Sequence, residues 1–280
     1  MVRRYWQLAH ENWLLPPGGA VMGILNVTPD SFSDGGLHAD VDAAVEHARQ
    51  MLAEGADIID IGGESTRPGA AELDVEEEML RVLPVVETLR RELPSARLSV
   101  DTRHAAVAYA ALQAGADVVN DICGLQNPEM LRVCVENPCG IVLMHMLGTP
   151  ATMQQKPHYE DVVAEVRAFF ESQLTKAVSA GVAAERICLD PGIGFGKTTR
   201  HNLALIRHLS ELRVNDQPVL MALSRKRFLG ELLGDAESAR KSALPTVVMS
   251  LLAAQHGADL HRVHDVAALR QGLKLRESLS

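Results

Sequence analysis

The chain has 280 residues, 47% of them hydrophobic and 22% charged, and its 27 Lys and Arg face 36 Asp and Glu for a net charge of −9. A sequence-independent nucleic-acid binder needs a positive surface to displace counterions, and a bilayer span needs roughly 20 consecutive apolar residues, so no nucleic-acid or membrane partner is expected. Aromatics make up only 4%, which leaves a core of Ala, Val, Leu, Ile and Met suited to helices packed on a parallel sheet.

The opening Met1-Val2-Arg3-Arg4-Tyr5-Trp6-Gln7 is basic, but no apolar stretch follows it; no export signal is read there, and a soluble cytoplasmic protein is expected. The segment up to Pro17 precedes the first apolar run and is expected to cap the lower end of the fold. Short apolar runs then occupy 21–27, 58–61, 98–100, 118–119, 141–144, 187–189, 219–223 and 260–263. Runs this short and this rich in Val, Ile and Leu fit strands buried on both faces. The stretches between them have helical spacing. Residues 41–53 gather Val41, Ala44, Val45, Ala48, Met51 and Leu52 on one face, and 162–178 do the same with Val162, Val166, Phe169, Phe170 and Leu174. Three linkers share a Gly-Ala-Asp sequence, at Gly55-Ala56-Asp57, Gly115-Ala116-Asp117 and Gly257-Ala258-Asp259. Glycine there stops a helix before the next strand, and the echo is a weak internal repeat. Eight βα units predict one (β/α)₈ domain over 1–280, with a doubly wound open sheet as the rival. Cys123, Cys134, Cys139 and Cys188 form no C-x-x-C pair and have apolar neighbours; buried, reduced thiols are expected.

In a (β/α)₈ barrel the chemistry sits where strands end. The runs end in Asn26, in Gly62 through Gly69 (after Asp60), in Asp101, Asn120-Asp121, His145, Asp190, Ser224-Arg225-Lys226, and Arg262 with His264. A single polar strand end is as readily a helix cap; eight together describe one pocket. Asp101, Asn120 and Asp190 suit a flat heterocycle with N–H donors. Arg67, Lys226, Arg262 and His264 suit an oxyanion. The ligand described is a heterocycle attached to an oxyanion. Loops 28–36 and 64–71 mix Gly, Pro and Ser with charge and are expected to act as lids. The stretch Pro191-Gly192-Ile193-Gly194-Phe195-Gly196-Lys197-Thr198 imitates a phosphate-binding loop, but Pro191 stands where its first Gly belongs. A glycosidase pair drawn from Asp101 and Asp190 is disfavoured by the basic cluster.

Longer motifs sharpen this reading. Gly23-Ile24-Leu25-Asn26-Val27-Thr28-Pro29-Asp30-Ser31-Phe32-Ser33-Asp34-Gly35-Gly36 resembles the first signature of the dihydropteroate synthases, and Asp60-Ile61-Gly62-Gly63-Glu64-Ser65-Thr66-Arg67-Pro68-Gly69 resembles the second. The stretch 190–197, Ser224-Arg225-Lys226 and Arg262-Val263-His264-Asp265-Val266 follow in family order. The resemblance implies a (β/α)₈ TIM barrel, usually a homodimer, that joins 6-hydroxymethyl-7,8-dihydropterin pyrophosphate to p-aminobenzoate and releases pyrophosphate. By position it implies that Asp101, Asn120, Asp190 and Lys226 hold the pterin. It gives the pyrophosphate to Asn26, Arg67, Arg262 and His264, with Mg²⁺ at Asn26. Thr66, Arg67, Pro68, Phe195 and Ser224 would line the p-aminobenzoate site, and Phe32 and Asp34 would ride on the first lid. Asp101, Lys226, Arg262 and His264 are the groups expected to act in the reaction, and sulfonamides, as p-aminobenzoate mimics, are expected inhibitors. Two stretches depart from the family pattern: Ala222 stands where Gly is frequent, and Ser242-Ala243-Leu244-Pro245-Thr246 replaces a Gly-Ser-Leu-Ala stretch. Pro245 is expected near a helix start. A pterin-dependent methyltransferase and a non-catalytic pterin binder are the alternative functions.

Overall fold

The apolar runs become strands in the computed structural model, which describes residues 4–28, 36–64, 73–150 and 152–279. The barrel strands are β3 (Ala20–Asn26), β4 (Ile58–Gly62), β5 (Leu98–Asp101), β6 (Val118–Asp121), β7 (Gly140–Met144), β8 (Ile187–Asp190), β9 (Leu220–Met221) and β10 (Leu260–Val263). All pair in parallel, in the order β8-β7-β6-β5-β4-β3-β10-β9. A parallel bridge from Leu189 to Val219 joins the two outer strands and closes the ring. The open doubly wound sheet is thereby excluded. The seventh run is less regular than its sequence suggests: of 219–223 only Leu220–Met221 is strand, with Val219 in the closing bridge.

The helices are α1 (Gly36–Ala53), α2 (Val75–Glu92), α3 (Ala105–Gln113), α4 (Pro128–Glu136), α5 (Val162–Ala180), α6 (Thr199–Arg207), α7 (Arg227–Leu233), α8 (Ala236–Lys241), α9 (Leu244–Gln255) and α10 (Val266–Glu277). Their ends follow local chemistry. Asp74 caps α2 through Glu76 N, Glu76–Glu78 fill its first turn, and Arg90 and Arg91 its last, which matches charge to the helix dipole at both ends. Asp161 accepts from Val163 N and Ala164 N at 3.0 Å each to start α5. Pro245 lies in the first turn of α9, as expected, where its missing N–H costs nothing. Three helices rather than one follow β9, a complication that the sequence pattern did not signal.

The N-terminal segment forms β1 (Tyr5–Gln7) and β2 (Asn12–Leu14), an antiparallel pair with Trp6 opposite Trp13. Trp6, Leu8, Trp13 and Leu15 pack with Met22, Ile58, Val118, Val142, Leu220 and Leu260 from inside the barrel. The hairpin is a plug on the lower end, and Trp6 Nε1 donates to Arg186 O at 2.8 Å.

The Gly-Ala-Asp echo is a structural repeat. Gly55, Gly115 and Gly257 all have φ between 101° and 109°, the left-handed conformation that lets a helix end. The aspartate two residues on then accepts a strand-entry N–H: Asp57 Oδ2 from Val21 N (2.8 Å), Asp117 Oδ2 from Leu98 N (2.9 Å), Asp259 Oδ2 from Val219 N (2.9 Å). Each aspartate also pairs with an arginine, Arg270, Arg90 or Arg213, whose guanidinium donates to the carbonyl of the same linker's glycine. The same lock is therefore set three times around the lower rim. The thiols are unpaired, with Cys134, Cys139 and Cys188 buried as expected and Cys123 only half-buried, because it follows β6 on the open, upper side.

Candidate active site

The upper ends of the strands surround a cavity of about 1170 Å³. Asn26, Asp101, Asn120, Asp190, Phe195, Ser224, Lys226, Arg262 and His264 all line it. The described residues expected to bind substrate thus face one space, whereas two other strand ends do not reach it: Asp121 is buried accepting from Cys123 N and Leu125 N, and His145 is buried against Lys197. Phe32, Asp34, Thr66, Arg67 and Pro68 lie outside the described residues. Ala222 contributes its methyl to the same wall while packing on the floor cluster beneath.

Arg262 is the centre of the charge network. Its Nε donates to Asp60 Oδ2 at 2.5 Å and its Nη2 to Asp101 Oδ2 at 2.6 Å. Asn120 Nδ2 donates to the same Asp60 oxygen at 3.1 Å. Burial works against the Arg262 charge, but Asp60 and Asp101 outweigh it and hold the guanidinium above its ordinary value. Burial pushes the Asp101 carboxyl up to about 7 despite the pull of Arg262, and Asp60 and Glu78 add to the push. Burial also raises Asp190, opposed by the Gly192 N–H at 2.7 Å and by Lys226. Lys226 is lowered by burial to about 8, with Asp190 and Asp101 resisting. Carboxylates and cations thus share a poorly solvated space, where fixed charges interact far more strongly than in water.

Asp60 was seen in sequence as part of the second run and signature but was given no role. It is fully buried in the middle of β4, between Ile59 and Ile61. Alternate strand residues share a face, and Ile58 belongs to the cluster inside the barrel, so Asp60 points inward two residues higher. The available signal was a carboxylate in the middle of an otherwise apolar strand, which burial forbids unless it is paired.

The glycines of 191–197 serve the backbone rather than a phosphate. Gly192 and Gly196 have φ of 63° and 66°. A Cβ at Gly192 would stand 1.9 Å from His145 O, and one at Gly196 2.6 Å from Leu147 O. The turn is therefore pressed against the segment after β7, and this compression holds Phe195 at the cavity wall beside Lys226, whose Nζ lies 4.2 Å from the ring centre. After the neighbouring strand β9, Ser224 Oγ is 2.9 Å from His264 Nδ1. Lys197, read from sequence as the last residue of the 190–197 motif, and His145, read as a polar strand end, form a buried pair beside Phe195.

Comparison with known proteins agrees with this geometry. The family model described as "Pterin binding enzyme" matches residues 22–264. The dihydropteroate synthase of Escherichia coli K12 is 46% identical over 258 residues, covering 92% of this chain and 90% of that protein. The Xanthomonas albilineans dihydropteroate synthase solved with 4-aminobenzoic acid superposes with a TM-score of 0.90 at 45% identity, covering 99% of this chain and 98% of that one. The Burkholderia cenocepacia dihydropteroate synthase complexed with 7,8-dihydropteroate gives a TM-score of 0.89 at 40% identity, covering 100% and 98%. With signatures, closed barrel and clustered strand-end residues all in agreement, the chain belongs to the dihydropteroate synthase family of pterin-binding enzymes.

Proposed function

We propose that residues 1–280 act as one catalytic domain that condenses 6-hydroxymethyl-7,8-dihydropterin pyrophosphate with p-aminobenzoate to give 7,8-dihydropteroate and pyrophosphate. The observation that carries this reading is the Asp60–Arg262–Asp101 network beside Asn120, Asp190 and Lys226 in one cavity. Asp101, Asn120, Asp190 and Lys226 supply the alternating acceptors and donors that a pterin edge requires. Arg262 and His264, with Arg67, face the pyrophosphate. Phe195 and Ser224, with Thr66, Arg67 and Pro68, are assigned to p-aminobenzoate, and Phe32 and Asp34 are assigned to the lid.

The carbon–oxygen bond between the pterin methylene and pyrophosphate breaks, and its electron pair leaves with the pyrophosphate. The guanidinium of Arg262 and the imidazole of His264 offset the charge that accumulates there. Asp101 stabilises the cation left on the pterin. The arylamine nitrogen then gives its lone pair to the methylene carbon and sheds one proton. No protein nucleophile is required.

Mg²⁺ fits the donor set. Asn26 presents a neutral amide oxygen at the end of β3, and its side chain has no hydrogen-bond partner among the described residues. No cluster of three or more His, Cys, Asp or Glu ligands occurs among the described residues, which suits an ion held by one side chain together with substrate phosphate oxygens rather than an all-protein cage. Bound there, Mg²⁺ would neutralise charge on the departing pyrophosphate.

Sulfonamides, which mimic p-aminobenzoate, are competitive inhibitors in this reading. A homodimer is proposed from the exposed apolar stripe Leu244, Val248 and Leu252 along α9. No helix among the described residues is long and apolar enough to cross a membrane, and the cytoplasm, which keeps thiols reduced, is the proposed compartment. The deciding experiment measures pyrophosphate release from the pterin substrate with and without p-aminobenzoate and Mg²⁺. Release that requires all three, with equimolar dihydropteroate, establishes the reading; tight pterin binding without release overturns it.

A further inference from the structure

The turn 193–196 has an unusual property: four consecutive carbonyls each accept a hydrogen bond from a different side chain. Ile193 O accepts from Lys226 Nζ (2.7 Å), Gly194 O from Gln154 Nε2 (2.7 Å), Phe195 O from Lys197 Nζ (3.0 Å) and Gly196 O from Tyr159 Oη (3.0 Å). Three of these donors have evident reasons to be where they are. Lys226 faces the cavity, and Gln154 and Tyr159 belong to the segment that leads into α5. Lys197 also borders the cavity, but its side chain turns back under its own turn and is only 2% exposed.

No carboxylate oxygen lies within ion-pairing distance of that ammonium among the described residues. Instead its three protons meet three neutral acceptors: Phe195 O, His145 O at 3.3 Å and His145 Nδ1 at 2.9 Å. Burial lowers Lys197 to about 7, with Asp190 resisting; in its protonated form the ammonium has three donors and no acceptor, and the set is then saturated. His145 is fixed in turn. Its backbone N donates to Asp190 O at 2.9 Å, and its ring meets Phe169 edge-on at 4.9 Å. Burial, then the Lys197 charge, lowers His145 to about 3, so the ring stays neutral, and the tautomer protonated at Nε2 is the one that lets Nδ1 accept from a protonated Lys197. A buried charge without an ionic partner is expensive; here it ties Phe195 to the strand end that carries His145.

We infer that Lys197 and His145 are positioning residues for the arylamine: together they fix the backbone of Phe195, and so set the plane on which the p-aminobenzoate ring lies. This rests on the assignment of Phe195 to the arylamine site. Of the pterin residues, Asp101 and Asn120 lie on other strands, and Asp190 and Lys226 meet this region through His145 N, Gly192 N and Ile193 O rather than through the Lys197 ammonium. Loosening the Lys197–His145 contact therefore acts first on Phe195 and on recognition of the arylamine. Displacement of a positioning group by about 1 Å is enough to change rates up to a hundred-fold.

The test is a set of variants assayed with both substrates varied, alongside thermal unfolding. In Lys197→Met, which keeps the length and removes the donors, the KM for p-aminobenzoate and the inhibition constant of a sulfonamide both rise about ten-fold, while the KM for the pterin pyrophosphate stays within about two-fold. His145→Asn keeps an acceptor near the Nδ1 position and stays close to the parent; His145→Leu behaves like Lys197→Met. Should Lys197→Met fail to fold, the His145 pair decides by itself. Equal rises in both KM values, or no change in a folded Lys197→Met, overturns the inference, as does His145→Asn matching His145→Leu. Phe195→Ala separates the two levels. If it raises the KM for p-aminobenzoate while Lys197→Met does not, the clamp alone is wrong; if it has no effect, the assignment of Phe195 falls and the clamp with it.

Discussion

Six aspartates divide between the two ends of the barrel. Asp57, Asp117 and Asp259 stand at the lower rim, each accepting a strand-entry N–H and each paired with its own arginine. Asp60, Asp101 and Asp190 stand inside the upper end, where Asp60 and Asp101 share the single guanidinium of Arg262 and burial pushes Asp101 and Asp190 upward. The three lower carboxylates are met by four arginines, since Asp259 also faces Arg4, and three of the four donate to backbone carbonyls of the same linkers. The upper set is left with competing charges in a poorly solvated cavity. β5 shows both halves of the arrangement, with Leu98 N held by Asp117 at one end and Asp101 at the other.

The contrast predicts opposite phenotypes for two substitutions on that strand pair. Asp101→Asn lowers kcat about 10²- to 10³-fold, the scale on which a preorganised charge acts on a transition state, and changes pterin affinity and the thermal midpoint little. The parent rate falls as pH drops through about 7, because the carboxylate takes up a proton there, whereas the Asn variant is flat over that range. Equal losses in turnover and pterin affinity would sink the electrostatic role. Asp117→Ala does the reverse. It leaves Arg90 unpaired and Leu98 N without its acceptor, costing about 2–3 kcal/mol of stability by denaturant titration after allowing for the partial exposure of Arg90. The kcat of the folded fraction is unchanged. An Asp117→Ala protein of parental stability but reduced turnover would erase the division of labour.

Much of this was legible beforehand. Apolar runs located all eight strands because both faces of each are covered, and polar strand ends located the site because the barrel brings those ends together. The Gly-Ala-Asp echo was visible as a repeat, but its purpose was not: Asp117 acts with Arg90, and Asp57 with Arg270 from 213 residues away, pairings that no local pattern encodes. The role of Asp60 was hidden for the same reason, since its partner is Arg262 on β10, 202 residues on. Lys197 was read as part of a motif and His145 as a polar strand end, whereas the contact between them is made only when the 191–197 turn presses on the end of β7. The β1–β2 hairpin was anticipated as a cap but not as a strand pair, because three-residue strands are too short to show a period.

A pH effect follows from a residue that belongs to neither rim. His261, fully buried on β10, has no hydrogen-bond partner for either ring nitrogen among the described residues. Burial, then Arg276 and Arg270, hold it down to about 3. Its folded value lies below its unfolded value, so the unfolded chain binds the extra proton between roughly pH 6.5 and 3. Stability contributed by the neutral ring is present above that window and is lost as pH falls through it, at about 1.4 kcal/mol per unit. His261→Leu removes this term. Denaturant titrations at about pH 6 and about pH 4.5 should show the variant losing about 2 kcal/mol less than the parent; parallel losses would place the acid sensitivity elsewhere.

The smallest expected effect probes how firmly the plug is seated. Arg97 lies with its guanidinium carbon 4.4 Å from the centre of the Trp13 ring, and donates to Glu11 through Nε at 2.5 Å and Nη2 at 3.0 Å. Glu11 is substantially exposed, so water screens the ion pair and the stacked face carries much of the contact. Arg97→Ala should cost about 0.5–1 kcal/mol and leave kcat and both KM values unchanged. Arg97→Lys discriminates between the two contributions, since lysine keeps the charge but loses both the planar fork and the stacking surface. If Lys restores stability, charge at the lower rim is what counts. If Lys is as costly as Ala, the flat guanidinium on Trp13 is what seats the hairpin, and the lower end is held by shape and fixed pairing while the upper end is left to charge.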